Sequence, residues 1–286
     1  MEFEKKKPSQ FREFLHRLTK GWSSKLGLAL FAFIILICIF GPMLSPYGVN
    51  EYDIAAINSK PSAEHWCGCD SMGRDLLTRL LYGGRYSLLL SLCASLLAAL
   101  AGATLGLVAG YLGGTADSLI MRFVDIWSAL PAMLLCILVS AFLGGGFPAT
   151  VIALTVGNIP SVARMIRGQV LAERTKEYME ASKMINCSTL SILFRHLLPN
   201  TIQPIIITTT MSIGNMITMA ASLSFIGLGI QPPTPEWGAL LADGRKYIQV
   251  YPHLIMFPGI IIALTVLALN LLGDGLRNAL DPKLRD

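Results

Sequence analysis

Charge is what this sequence has least of. Asp, Glu, Lys and Arg make up 14% of its 286 residues and hydrophobic residues 53%, whereas a water-soluble domain carries about a quarter charged residues. The deficit is concentrated. None of the four occurs from Leu26 to Asn50, Tyr86 to Ala116, Ile126 to Ala163, His196 to Pro235 or Tyr247 to Gly273. Such runs place the chain among membrane proteins. Because they are continuous and do not alternate, they speak against a closed barrel. Catalytic signatures are missing too. The sequence has no HExxH, no GxSxG and no GxxxxGK[ST], so zinc-protease, nucleophile-elbow and P-loop chemistry have no motif in this chain. The four histidines, His16, His65, His196 and His253, are dispersed. No catalytic residue, cofactor site or metal site is assigned to this chain.

The charge-free runs define spans. A bilayer core of about 30 Å needs roughly 20 helical residues, so the first, second and fifth runs hold one helix each. The third holds two, divided at Gly144-Gly145-Gly146-Phe147-Pro148. The fourth leaves one span, roughly Thr201 to Gly229, closed by Gln231-Pro232-Pro233-Thr234-Pro235. The reading is an all-α membrane protein with six transmembrane helices. Residues 1–26 form a tail, 27–45 the first helix, 46–85 an external segment, 86–273 a five-helix core and 274–286 a second tail. Within the core, 164–200 is a polar loop. The first run follows a 25-residue charged tail and lacks a convincing small-x-small cleavage site, so it is expected to stay as a helix.

Lys and Arg set the orientation. An even span count puts both termini and the polar loop on one face, with sixteen Lys and Arg residues against six on the other. Termini and loop are therefore expected in the cytoplasm. The net charge of +5 is orientation bias and calls for no nucleic acid.

Inside the second span, Ala98, Gly102, Gly106 and Gly110 recur every fourth residue, with Ser87, Ser91 and Ser95 on a second stripe. Small residues at that spacing let helix backbones approach closely, and packing within one bundle is the simpler use of them. Arg122 and Asp125, three apart, are expected to neutralise each other near a membrane surface. Asn158, Thr208 to Thr210, Asn215 and Asn270 either line a polar path or bond across helices.

The polar loop carries the clearest local signal. Thr175 to Ile185 reads as a short helix with Tyr178, Ala181, Ser182 and Ile185 on one face. Thr189 to Leu198 reads as a second, with an apolar stripe of Leu190, Leu193, Phe194, Leu197 and Leu198. Between them, Asn186 suits a left-handed helix end and Ser188 a cap.

These residues resemble the EAA loop of ABC-importer permeases, whose pattern is Glu-Ala-Ala, three residues, Gly, nine residues, Ile, one residue, Leu-Pro. Here it reads Glu180-Ala181-Ser182, Asn186, His196 and Leu198-Pro199. Ser182, Asn186 and His196 are the departures, and His196 looks like the peptide-branch variant. The stretch His65-Trp66-Cys67-Gly68-Cys69-Asp70-Ser71-Met72-Gly73-Arg74-Asp75 is similar to HxxGTDxxGRD of dipeptide, oligopeptide and nickel permeases. Leu223 to Gly229 with Pro232 to Gly238, and Asn270 to Pro282, match further stretches of that class.

The resemblance implies a type I ABC-importer permease in a bacterial inner membrane. Its partners would be a second homologous permease forming a heterodimer, two cytoplasmic ATPases and an external binding protein. The cargo would be a di- or oligopeptide, with nickel or a metallophore as the alternative. ATP and Mg would be bound by the ATPases. Glu180, Ala181, Ser182, Asn186, Leu190, Leu193, Phe194, Leu198 and Pro199 would form the ATPase-coupling unit. Cys67 and Cys69, beside His65 and Asp70, are the one combination that could suit a soft metal. The family pattern already accounts for His65, Gly68 and Asp70, and thiolate sites usually use wider spacing. A stand-alone secondary transporter would call for inverted repeats or a buried acidic relay, and neither is visible.

Overall fold

The computed structural model describes residues 17–280, apart from the side chain of Lys183. Lys5, Lys6, Lys7, Arg12 and His16 at one end, and Asp281, Pro282, Lys283 and Arg285 at the other, lie outside the described residues. The chain runs through nine helices that matter here. They are α1 (Trp22–Leu44), α2 (Leu76–Leu112), α3 (Gly114–Trp127), α4 (Ala132–Leu143), α5 (Gly146–Arg174), α6 (Glu177–Met184), α7 (Thr189–Phe225), α8 (Trp237–Gly244) and α9 (His253–Leu280). Among the described residues β-pairing is limited to one bridge, Cys69 with Asp75.

Five helices (α1, α2, α5, α7 and α9) are long and apolar enough to cross a membrane. The sixth span is not a single rod. α4 alone is too short to cross, and it joins α3 at a bend of 77°. The break falls at Ser128-Ala129-Leu130-Pro131. Proline has no N–H to continue the helical ladder, and Ser128 folds its Oγ back onto the Val124 carbonyl at 2.7 Å. Charge-free length reports that a segment avoids water, but not whether it is straight. The turn at Gly144 to Gly146 forms as expected, with φ of 83°, 74° and 87°. Two further boundaries move outward from the charge pattern. α2 starts at Leu76, capped by Asp75, and so carries Arg79 and Arg85 inside the helix. α9 runs to Leu280.

The small-residue stripe of α2 packs on α5. A Cβ on Gly102 would meet Val162 at 2.6 Å, one on Gly106 the Ala163 carbonyl at 2.5 Å, and one on Gly110 Val170 at 2.8 Å. Both numbers rise together, so the two helices run parallel in near backbone contact. The serine stripe faces elsewhere. Ser95 Oγ donates to the Thr209 carbonyl of α7 at 2.9 Å.

α1 runs antiparallel to α2, with Gly41 against Leu81 and Gly84 against Cys38. Its beginning meets the end of α9, Gly27 against Leu271 and Gly275 against Ser24. The start of α1, the end of α9 and the ends of α2 and α5 therefore share one end of the bundle with the polar loop. The other end carries residues 45–75 and α8. Arg122 does not bond Asp125 as its spacing suggests. Asp125 pairs with Arg164 at 3.2 Å, and Asp117 takes a two-point contact from Arg167 at 2.5 and 2.6 Å. Both pairs join α3 to α5.

Candidate coupling site

Residues 164–174 of the expected loop are instead the last turns of α5, packed on α2 through Ile166 and Val170, so the loop proper starts after Arg174. Glu173 accepts from Lys176 and, at 2.7 Å, from the Tyr178 hydroxyl. That hydroxyl also accepts from Asn200 Nδ2 at 3.3 Å. One phenol thus ties the end of α5 to the early part of α7. Burial, then the neighbouring carboxylate, push the Tyr178 hydroxyl up to about 12, so it stays protonated and donates at any physiological pH. Sequence pattern alone assigns Tyr178 no role beyond its place on a helix face. Its partners lie across the loop and carry no local spacing signal.

α6 is short and buries Met179 and Ser182. Ser182 Oγ bonds back to the Met179 carbonyl at 2.8 Å. Tyr178 leans inward with them, whereas Ala181 and Ile185 point outward, so the expected four-residue face divides. The helix ends at Asn186, whose φ is 60°, and the Cys187 N–H closes onto the Ser182 carbonyl at 3.2 Å. This is the left-handed stop the sequence suggests. Ser188 then caps the next helix by accepting from Ser191 N–H at 3.3 Å.

The second helix differs from expectation in two ways. It does not end at Leu198-Pro199 but continues as α7 to Phe225, because the proline sits in the first turn of the α-helical part, where no N–H is needed. Ile192–Leu197 is also a π-helical stretch, a local widening that changes which residues share a face. Its apolar stripe consequently splits. Ile192, Leu193 and Leu197 are buried with Ala103, Leu107, Ile166, Val170 and Met179. Leu190 and Phe194 stay 68% and 63% exposed, and Met184 and Ile185 87% and 76%. Glu180 and Ala181 are exposed as well, Leu198 is half-buried and Pro199 exposed. The loop therefore exposes four apolar side chains and the Glu180 carboxylate, with Leu190 and Phe194 on the helix that continues as a membrane span.

The opposite end is organised by carboxylates. Asp70 accepts from the Met72 and Arg74 N–H groups and from Arg74 Nε at 2.7 Å, with Arg79 Nε at 3.4 Å. Asp75 caps α2 through Thr78 and holds His65 Nδ1 at 3.0 Å. Of the four residues considered for a metal, only His65 and Cys69 come together, with Asp75 as third neighbour, their ligand atoms within 4.8 Å of one another. Cys67 lies outside this group, and Asp70 is committed to arginines. Burial raises both thiols, that of Cys67 to about 11, which keeps them protonated. Among the described residues Glu236 is the third buried carboxylate. It caps α8 and accepts from Ser87 and Ser224, both at 2.8 Å. The signal available for it is an acid placed directly after a long charge-free run.

Known proteins resemble this chain over nearly its whole length. Residues 102–286 match the family described as binding-protein-dependent transport system inner membrane component. Residues 9–61 match the N-terminal transmembrane domain of oligopeptide transport permease C. The chain is 44% identical over 284 residues to the glutathione transport system permease protein GsiD of Escherichia coli O6:K15:H31, covering 98% of this chain and 94% of that one. The protein of the same name from Shigella dysenteriae serotype 1 is 43% identical over the same shares. Among solved structures, an inward-facing conformation of the MetNI methionine ABC transporter aligns with a TM-score of 0.58 at 20% identity, over 71% of this chain and 97% of that one. That likeness is one of fold. The chain belongs to the family of binding-protein-dependent transport system inner membrane components, as a multi-pass inner-membrane permease of an ABC importer of the oligopeptide/glutathione-type class.

Proposed function

We propose that this chain carries di- or oligopeptides across the membrane after an external binding protein delivers them, as one of two homologous permeases forming the path. Two ATPases, which bind the ATP and Mg that this chain does not, dock on residues 164–200 at the cytoplasmic end of the bundle. The observation that carries the reading is the exposure of four apolar side chains, Met184, Ile185, Leu190 and Phe194, in the same loop as the exposed Glu180 and Ala181. Four such side chains in one loop outside the apolar spans call for a protein partner. Its second helix is the beginning of α7 itself, so a push on Leu190 or Phe194 is delivered to a membrane span without an intervening joint. The Lys and Arg bias puts this end in the cytoplasm. The 44% identical GsiD relatives are named for glutathione transport, and glutathione is itself a tripeptide.

Glu180→Lys tests the assignment. Insertion and assembly are expected to persist while peptide uptake separates from ATP hydrolysis. Normal uptake by this variant, in vesicles containing all partners, would sink the coupling role.

A further inference from the structure

Near the end of the bundle opposite the coupling loop, a cavity of about 410 Å³ opens beside α7. Met133, Ile137, Thr218, Ser222, Phe225 and Leu241 are among its lining residues, and no ionisable group lines it. The hydroxyl protons of Thr218 and Ser222 are used within the helix, donated to the Gly214 and Thr218 carbonyls. Their oxygens retain lone pairs as acceptors. Thr218 and Asn215 form an exposed polar strip on a helix that crosses the membrane, a placement that suits a polar path better than lipid.

One cation stands at the rim. The Arg245 guanidinium carbon lies 5.0 Å from the centre of the Phe225 ring, and that ring lines the cavity. Arg245 is the first residue past α8, still in helical conformation, and follows Leu241, another lining residue, by four positions, so the two lie on the same side. Asp243 does not neutralise it. With Leu240 and Gly244 it faces a separate small cavity lined by Asp70 and Leu254, towards Arg74 and Arg79. Among the described residues no carboxylate lies within ion-pair distance of Arg245, and the residue is exposed. Lys246 beside it adds a second positive charge. A guanidinium with one face resting on an aromatic ring keeps its N–H edge free, and that edge matches a carboxylate in two-point geometry.

We propose that Arg245, backed by Phe225, receives the carboxylate of a peptide as it enters the cavity, and so favours free-acid peptides over neutral ones. The inference rests on the peptide-permease reading above. The cavity size falls within the range of roughly 300–1,000 Å³ usual for small-ligand sites.

The test uses the complete transporter in proteoliposomes, with its ATPases and binding protein, and two probes, trialanine and trialanine amide. Each variant is rated against the wild type on the same probe, which cancels the binding protein's own preference. Arg245→Gln is expected to slow trialanine uptake about tenfold and amide uptake less than about twofold, with Arg245→Lys recovering most of the trialanine rate. ATP hydrolysis stimulated by the binding protein should be kept in Arg245→Gln. An equal fall for both probes, or a fall matched by lost stimulation, would make Arg245 a contact to a partner chain and overturn the proposal. No fall at all would do the same. Should the amide move too slowly to rate, the Lys and Gln variants on trialanine, read together with the stimulation, decide it. ATP-dependent uptake of trialanine by the wild type supports the permease reading whatever Arg245 does, and its absence would bring down both.

Discussion

Ser87 and Glu236 meet across the bundle: the serine Oγ donates to Glu236 Oε1 at 2.8 Å, and both side chains are buried. The same serine accepts from Trp237 N–H at 3.1 Å, while Ser224 donates to the other carboxylate oxygen. Trp237 adds a bond from its indole N–H to the Leu80 carbonyl at 2.9 Å. Three segments distant in sequence are closed by one carboxylate. Removing it leaves two buried hydroxyls and the first turn of α8 short of an acceptor. Each unsatisfied group costs about 1–3 kcal/mol, so with three donors orphaned Glu236→Ala should lower stability by about 3 kcal/mol or more. Glu236→Gln, which retains one acceptor oxygen, should cost less than half of that. Thermal unfolding of the purified chain in detergent orders the two, and equal midpoints for wild type and Glu236→Ala would refute the role.

The tight seam between α2 and α5 gives a second expectation with its own control. At Gly106 a methyl group would sit 2.5 Å from the Ala163 carbonyl and 2.9 Å from Arg167 N. Neither is a flexible side-chain tip, so α2 and α5 must part. Gly106→Ala is expected to destabilise by roughly 1–3 kcal/mol as an overpacking change. Gly168, in α5 itself, has nothing within 4 Å of the corresponding position. There alanine should be neutral or gain about 0.5–1 kcal/mol from helix propensity. Opposite signs in one unfolding assay are the outcome to look for.

The split stripe of α7 separates folding from docking. Leu197 is fully buried and Phe194 is 63% exposed. Leu197→Ala opens a cavity among Ile166, Val170 and Met179 and should cost about 2–5 kcal/mol, seen as faster amide exchange over α6 and the first turns of α7. Phe194→Ala should change stability by less than about 0.5 kcal/mol but weaken capture of the ATPases by about tenfold or more, as loss of an aromatic anchor does. An unchanged ATPase affinity would remove Phe194 from the proposed interface.

Much of this was visible in the residues. Charge-free runs located the spans, since a charged side chain in hydrocarbon is costly, and four-residue spacing located the α2 seam. What escaped was whatever depends on a second segment. Arg122 and Asp125 have ideal local spacing, yet Asp125 turns to Arg164 on another helix. Leu190, Leu193, Phe194 and Leu197 are equally apolar. Only the packing of α2 and α5 beneath them, together with the π-helical register, decides which are buried. The bend between α3 and α4 also left no mark in composition. Pro131 was the sole hint.

Asn186 carries the last expectation. Its φ of 60° is left-handed, a conformation costing most residues about 1–2 kcal/mol but open to glycine and to asparagine. The family pattern has glycine at this point, so Asn186→Gly should fold and transport like the wild type. Asn186→Ala should lose about 1 kcal/mol locally, and a β-branched Asn186→Val more. The loss falls on the angle between α6 and α7, because the Cys187 N–H bond to Ser182 and the Ser188 cap both depend on that turn. Transport should therefore decline in the order Asn and Gly, then Ala, then Val, while membrane levels stay level. A valine variant that transports normally at full abundance would show that the coupling loop tolerates a different turn, and the geometry argued for α6 would have to be abandoned.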